Sequence, residues 1–264
     1  MHEELDATIV EYDDDTGIGE ITMNRPNALN ALNGQLTGDI VRSLEMLAEQ
    51  DAGADGVALR AVILEGAGDR AFSAGADISE FGGDGGGSIR RSHYKTIRDF
   101  PAPVIAKIDG YCLGGGFETA LSCDFRFASA ESTFGFPEVD LGFLPGVGGG
   151  QMVSKIASPA VAKELVMTGK HIPAERADDE GLVHDVYPTD DLDDEVWAFA
   201  EDLSTQAPLA VRAIKDSINL SMEVGLEDGI EYDSQVSGRL TGTEDFAEGT
   251  AAFAEDREPE FEGK

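Results

Sequence analysis

The 264-residue sequence predicts an α/β fold that ends in a helical C-terminal region. Short apolar runs at 60–64 and 104–108, each ending near a glycine, are typical of buried strands. Apolar residues at helical spacing appear at 36–49 and dominate after about residue 159. We therefore expect a core with the functional site over 1–199 and a helical region over 200–264.

The other elements follow in chain order. Residues 6–23 alternate apolar and polar around the turn sequence at 14–17, which predicts a β-hairpin. The glycine-rich run at 82–87 predicts a mobile surface loop. Further strands are expected at 125–128, 133–136 and 183–187, and further helices at 160–168, 190–206, 208–222, 225–240 and 244–255.

The charge balance limits the class of partner. Asp and Glu number 52 against 19 Lys and Arg, a formal net charge of −33. The acidic residues are spread along the chain between apolar runs, which indicates a folded protein with an acidic surface, as in organisms with multimolar cytoplasmic salt. At such salt the Debye length is about 3 Å or less, so surface charges repel one another little. Neither nucleic acid nor an anionic membrane is expected as a partner.

The sequence lacks the patterns of a signal peptide, a membrane span and a metal site, and this predicts the compartment and the metal content. The N-terminus lacks the features of a signal peptide, and no apolar run approaches the ~20 residues that span a bilayer, so we expect a cytoplasmic protein. Cys112 and Cys123 are interpreted as reduced, buried thiols. The four histidines lie outside metal-ligand spacing, and no metal site is expected. The glycines at 146–150 lack the pattern of a nucleotide-phosphate loop.

The most informative segment is 110–118, Gly-Tyr-Cys-Leu-Gly-Gly-Gly-Phe-Glu. Three successive glycines leave the main chain open to close approach, and Glu118 follows at the start of an apolar helical run. Amides in the first helical turn have no intrahelical partner. Amides beside an acid are the groups needed to stabilise an oxyanion and move a proton.

Together with 71–78 (AFSAGADI) and 136–146 (FPEVDLGFLPG), this segment resembles the enoyl-CoA hydratase/isomerase family, also called crotonases. The resemblance begins at 21–26 (ITMNRP), continues at 30–32 (NAL), and covers nearly the whole chain. It implies the crotonase spiral of repeated ββα units and a helical C-terminal region that makes trimer contacts. The expected assembly is a homotrimer or homohexamer.

The resemblance also implies the chemistry. The backbone N–H groups of Ala76 and Gly115 would stabilise an enolate on the thioester oxygen of an acyl-CoA. Glu138 would exchange the proton at C2, and Glu118 would hold and activate the water that adds to C3. Neighbouring, partly buried carboxylates would have separated proton affinities, with one protonated near neutrality.

Substrate contacts are implied along four segments. Coenzyme A enters only as part of the substrate, with no other cofactor. The implied contact residues are Ala28, Leu29, Ala74, Asp77, Ile78, Ser79, Gly114, Pro145 and Gly146. The family often has lysine at the positions of Asn27 and Ser79, so we name Arg25, Arg70 and Lys264 as candidates for the CoA phosphates.

Both glutamates favour hydration of a trans-2-enoyl-CoA to a 3-hydroxyacyl-CoA, since many isomerases of the family keep only the second. The alternatives are another reaction on the same scaffold (isomerisation, thioester hydrolysis, decarboxylation or carbon–carbon lysis) and a non-catalytic binding homologue. The net charge of −33 opposes an RNA-associated homologue.

Overall fold

The computed structural model describes residues 1–80 and 92–264 and confirms an α/β core followed by helices. The run at 82–87, predicted as a loop, lies outside the described residues. The described strands are β1 (His2–Glu4), β2 (Thr8–Asp13), β3 (Ile18–Met23), β4 (Ala61–Gly66), β5 (Ala71–Ser73), β6 (Val104–Ile108), β7 (Tyr111–Leu113), β8 (Phe125–Ser129), β9 (Thr133–Gly135), β10 (Ile172–Pro173) and β11 (Asp185–Tyr187). The described helices are α1 (Gly34–Ala48), α2 (Ser92–Arg98), α3 (Gly115–Ser122), α4 (Gly149–Ile156), α5 (Pro159–Thr168), α6 (Ala174–Asp179), α7 (Leu192–Ser204), α8 (Pro208–Ser221), α9 (Leu226–Leu240) and α10 (Glu244–Glu255).

The strands form a large and a small sheet. The large sheet has the order β1-β2-β3-β4-β6-β8-β11, antiparallel up to β3 and parallel from β3 onward. The small sheet has the order β10-β9-β7-β5. Three of its four strands, β9, β7 and β5, are parallel to one another, and β10 is antiparallel to β9. The pairs β4–β5, β6–β7 and β8–β9 each send one strand to each sheet before a helix follows. This is the repeated ββα arrangement that the sequence resemblance implied.

Both faces of the large sheet are covered, as parallel strands require. The main core lies on one face and includes the apolar side of α1, with Leu36, Ile40 and Leu44. A second cluster on the other face packs Val196 and Ala200 of α7 against the sheet. The boundary proposed between residues 199 and 200 therefore falls within α7, a helix packed on the core.

The hairpin β2–β3 shows why the turn sequence was informative. Asp13 accepts hydrogen bonds from the amide of Asp15 at 2.9 Å and from the hydroxyl of Thr16 at 3.1 Å. Gly17 then takes a positive φ of 72°, which glycine adopts at little cost. These contacts are local in sequence, and the predicted hairpin is confirmed.

The elements that pattern analysis missed are mostly those of the small sheet. Strands β5, β7, β9 and β10 have only two or three residues, too few for an alternation to be read, and only β9 was predicted. The short helices α2, α4 and α6 were not predicted either.

The helical C-terminal region is attached to the core by ion pairs. Lys215 on α8 is buried and contacts a carboxylate oxygen of Asp124 at 2.7 Å and the carbonyl of Ala102 at 3.0 Å. Arg212, one turn earlier, contacts Asp51 at 2.6 Å. These contacts fix α8 to the strand ends of the large sheet.

Candidate active site

Three parallel strands of the small sheet deliver the candidate catalytic segments to one edge. Ala76 follows β5, Gly115 and Glu118 follow β7, and Glu138 follows β9. Since β9, β7 and β5 are neighbours with the same direction, their carboxyl ends lie side by side. Ligands of parallel sheets commonly bind outside this edge.

Two backbone hydrogen bonds to the segment after β3 orient the amide of Ala76. Leu32 donates its N–H to the carbonyl of Gly75 at 2.8 Å and accepts from the amide of Asp77 at 2.9 Å. Because alternate residues of an extended chain point in opposite directions, the amide of Ala76 points away from Leu32. Within residues 1–80 and 92–264 it donates to no other protein group.

Asn30 holds this segment, a role that the sequence did not reveal. The side chain is fully buried; its Oδ1 accepts from the amide of Arg25 at 2.9 Å, and its Nδ2 donates to the carbonyls of Ala67 and Ala71 at 3.1 and 2.8 Å. The hydroxyl of Ser73 donates to the Asn30 carbonyl at 2.8 Å. The only sequence signal was the family-like Asn-Ala-Leu at 30–32.

The Gly115 amide lies beside that of Ala76. A Cβ placed on Gly115 would lie 3.5 Å from the nitrogen of Ala76, and one placed on Gly75 would lie 3.5 Å from the nitrogen of Gly115. Gly115 is the first residue of α3, so its amide has no intrahelical acceptor. The structure therefore brings together the two amides that the sequence paired across forty residues.

The carboxylate of Glu118 is held by the segment that leads into α4. Only 2% of the residue is exposed, and its Oε1 accepts from the amides of Val147 and Gly149 at 3.0 and 2.8 Å. A Cβ on Gly149 would lie 2.5 Å from Cε1 of Phe136 and 3.0 Å from Cγ of Glu118, so glycine is needed there chiefly because the ring of Phe136 packs against it. Val147 and Gly149 are contacts that sequence analysis did not name.

Glu138 approaches the same glycine segment. Its Oε1 would lie 2.6 Å from a Cβ on Gly114, whose φ of 51° and ψ of −124° also favour glycine. Its Oε2 is buried and accepts no hydrogen bond from a described residue. Burial, with a smaller contribution from the negative charge of Glu118, raises the pKa of Glu138 to about 7.

The substrate residues implied near β3 and β5 also lie at this edge. The amide of Ala74 donates to the carbonyl of Leu29 at 2.9 Å, which joins the segment holding Ala28 to the segment 74–79. Asp77 accepts from the hydroxyl of Ser79 at 2.6 Å, and Ile78 is 63% exposed.

Pro145 and Gly146 stand apart from the other implied substrate residues. They line a cavity of about 470 Å³ between α4 and α5, whose described lining contains neither glutamate and neither amide of the site. Their link to the site is through Val147, the next residue, which donates to Glu118.

Two of the three candidate phosphate contacts are already paired. Arg25 contacts Asp77 at 3.0 Å. Lys264 contacts Asp55 at 2.9 Å, next to the segment before β4 and away from the carboxyl ends that carry the site. Arg70 is exposed and forms no ion pair with a described residue.

Within residues 1–80 and 92–264, no group of three or more His, Cys, Asp or Glu side chains is arranged to hold a metal ion. The same residues contain no helix that combines the length and the apolar character needed to cross a bilayer. Cys112 and Cys123 are both buried and unpaired, as expected from the sequence.

Comparison with known proteins agrees with this geometry. A sequence model of the enoyl-CoA hydratase/isomerase family matches residues 13–264. A probable enoyl-CoA hydratase of Mycobacterium tuberculosis is 37% identical, with 97% of this chain and 98% of that protein covered. The short-chain-enoyl-CoA hydratase of Clostridium acetobutylicum is 36% identical, with 97% and 98% covered. The crystal structure of enoyl-CoA hydratase from Bacillus anthracis superposes with a TM-score of 0.89 at 33% identity, covering 98% of this chain and 100% of that one. The crotonase fold implied by the sequence is confirmed.

Proposed function

The chain belongs to the enoyl-CoA hydratase/isomerase family, and we propose that it catalyses the reversible hydration of trans-2-enoyl-CoA thioesters to 3-hydroxyacyl-CoA. One observation carries the proposal: the amides of Ala76 and Gly115 lie beside each other and have no acceptor among the described residues, and Glu138 lies beside Gly114. Glu118 follows in the first turn of α3, with its carboxylate held by the loop before α4. Hydration needs both sets of groups, because charge develops on the thioester oxygen while a proton and a hydroxyl are added.

The amides of Ala76 and Gly115 act on the thioester oxygen. Addition of water at C3 turns this neutral carbonyl oxygen into an enolate oxygen. Fixed N–H dipoles therefore stabilise the transition state more than the substrate, by about 3–4 kcal/mol for each donor.

Glu118 and Glu138 divide the proton transfers. The oxygen of water bonds to C3 while its proton passes to Glu118, whose carboxylate is oriented by the amides of Val147 and Gly149. Protonated Glu138 then gives its proton to C2, and the C2–C3 double bond becomes a single bond. The cycle closes when Glu118 loses a proton and Glu138 regains one through solvent.

An absorbance assay tests the reaction. Crotonyl-CoA is incubated with the protein in concentrated potassium chloride, and loss of the conjugated thioester absorbance is followed. We expect turnover that persists after dialysis against a chelator, since we propose no metal or cofactor beyond the CoA of the substrate. Absence of turnover with short- and medium-chain 2-enoyl thioesters, together with activity on a 3-enoyl thioester, would identify an isomerase instead.

The raised pKa of Glu138 predicts one pH limit that the two directions share. Hydration requires protonated Glu138, and the protonated fraction falls as pH rises, so kcat/KM for hydration should decline above about pH 7. Dehydration starts from ionised Glu138 and protonated Glu118, so the pair carries one proton in either direction, and kcat/KM for dehydration should decline above the same pH. Initial rates with enoyl and 3-hydroxyacyl thioesters between pH 5 and 9 measure both profiles; a kcat/KM that stays constant from pH 7 to 9 would contradict the assignment.

We also propose that the helical C-terminal region mediates self-association into a homotrimer or homohexamer. Large apolar side chains on α8 and α9 are more than half exposed in the single chain: Ile214, Ile218, Leu226 and Ile230. Burying such side chains releases about 1.5–3 kcal/mol each when burial is complete. Light scattering at the salt concentration of the assay should give three or six times the chain mass, and a monomer would refute this assembly.

A further inference from the structure

Tyr94 on α2 reaches the oxyanion site although the proposed chemistry does not use it. The residue is 6% exposed, and its hydroxyl donates to the carbonyl of Gly115 at 3.3 Å. The same carbonyl accepts from the hydroxyl of Thr119 at 2.8 Å. One donor thus comes from within α3, and the other from a separate helix.

The phenol oxygen also borders the space shared by the two amides. A Cβ on Gly115 would lie 3.1 Å from the Tyr94 hydroxyl and 3.5 Å from the nitrogen of Ala76. The hydroxyl therefore lies beside the Cα of the residue whose amide is to bind the thioester oxygen.

The first turn of α3 needs an external support. It begins with two glycines after a third at the N-cap position, Gly114, and glycine has the greatest backbone freedom and gives no side-chain hydrogen bond to the helix end. This turn carries both the Gly115 amide and the backbone of Glu118. A small rotation of the turn would misdirect both groups, and a displacement of about 1 Å can reduce a rate by about 10²-fold.

The ring of Tyr94 is packed against a neighbour, and its hydroxyl stays protonated. The ring of His93 lies against it, with ring centroids 3.7 Å apart and the ring planes inclined by 40°. Burial, followed by the negative charges of Glu118 and Glu138, raises the pKa of Tyr94 far above its ordinary value. The hydroxyl is therefore a neutral donor throughout the pH range in which Glu138 titrates.

We propose that Tyr94 is a positioning residue of the oxyanion site, whose hydroxyl holds the Gly115 carbonyl and thereby fixes the first turn of α3. This role rests on the proposed function. It predicts that loss of the hydroxyl lowers kcat and weakens polarisation of the bound thioester, while substrate affinity and stability change little.

The test compares Tyr94→Phe with Tyr12→Phe. Tyr12 is 7% exposed and donates to the carbonyl of Ala58 at the same 3.3 Å, but it lies on β2, away from the site. For Tyr94→Phe we expect kcat for crotonyl-CoA to fall about tenfold and KM to change less than twofold. Tyr12→Phe should retain the wild-type kcat. Unchanged kcat in Tyr94→Phe, in an enzyme that does hydrate crotonyl-CoA, would overturn the role of Tyr94 alone.

An infrared measurement does not depend on hydration. The carbonyl stretch of butyryl-CoA labelled with carbon-13 at the thioester should move to lower frequency on binding to the wild type, because hydrogen bonds weaken the C=O bond. The shift should be at most half as large in Tyr94→Phe, and an equal shift would refute the proposal even if no substrate is turned over. Thr119→Val removes the other side-chain donor to the same carbonyl but leaves Tyr94 in place, so it should keep more of the shift than Tyr94→Phe; a larger loss in Thr119→Val would assign the support to Thr119 instead.

Discussion

Replacing Glu138 by glutamine is expected to lower kcat for hydration by about 10²–10⁴-fold, with a small change in KM. Glutamine keeps the volume of the side chain beside Gly114 but supplies no acidic proton for C2. The pH limb near 7 should disappear from the residual activity, because the group with that pKa is gone. Steady-state rates from pH 5 to 9 measure both effects.

Asp140 supplies a matched control for this substitution. It lies on the same short 3-10 helix as Glu138, Pro137–Leu141, but its side chain is exposed. Asp140→Asn removes the same charge and should retain the wild-type kcat. Full activity in Glu138→Gln, or equal losses in the two variants, would remove Glu138 from the mechanism.

Glu118→Gln is expected to lower kcat for hydration by a similar factor of about 10²–10⁴, for a different reason. The amide oxygen of glutamine can still accept from Val147 and Gly149, so the loop before α4 should keep its place. What is lost is the carboxylate that takes a proton from water. Asp39→Asn is the control, since Asp39 is also buried and accepts from a backbone amide, that of Ala7 at 2.8 Å, which belongs to the N-terminal segment and not to the site.

Hydrogen exchange at C2 of the substrate distinguishes the roles of the two glutamates. Exchange of the C2 protons of butyryl-CoA in deuterium oxide needs the oxyanion site and the group at C2, but no water at C3. Glu118→Gln should therefore keep most of this exchange, whereas Glu138→Gln should lose it. The reverse pattern in proton NMR would exchange the proposed roles.

Local patterns predicted the large sheet well, because its strands are long enough to show their apolar runs and its hairpin is closed by neighbours in sequence such as Asp13 and Thr16. The small sheet was largely missed for the opposite reason: β5 and β7 have three residues each and are stabilised by one another. Yet these strands deliver Ala76 and Gly115. The glycine run itself indicated an amide site, but the choice of Gly115 within it, and Ala76 altogether, came only from family resemblance.

The supporting contacts of the site could not be predicted. Tyr94 reaches Gly115 across 21 residues, and Gly149 reaches Glu118 across 31. Each of these contacts is a meeting of two distant segments, and neither partner has a composition that points to the other. By contrast, the separation of proton affinity expected for the glutamate pair follows from burial and like charge, and it agrees in direction with the raised pKa of Glu138.

The oxyanion site that we propose consists of main-chain N–H groups, and this has an evolutionary consequence. A codon change can delete the carboxyl group of Glu118 or Glu138 in one step, but nearly every replacement at position 76 still carries a backbone amide. Selection can therefore alter the acids, and with them the fate of the enolate, while the capacity to form the enolate persists. A duplicated copy of this gene would start its divergence with the hardest part of the chemistry already in place.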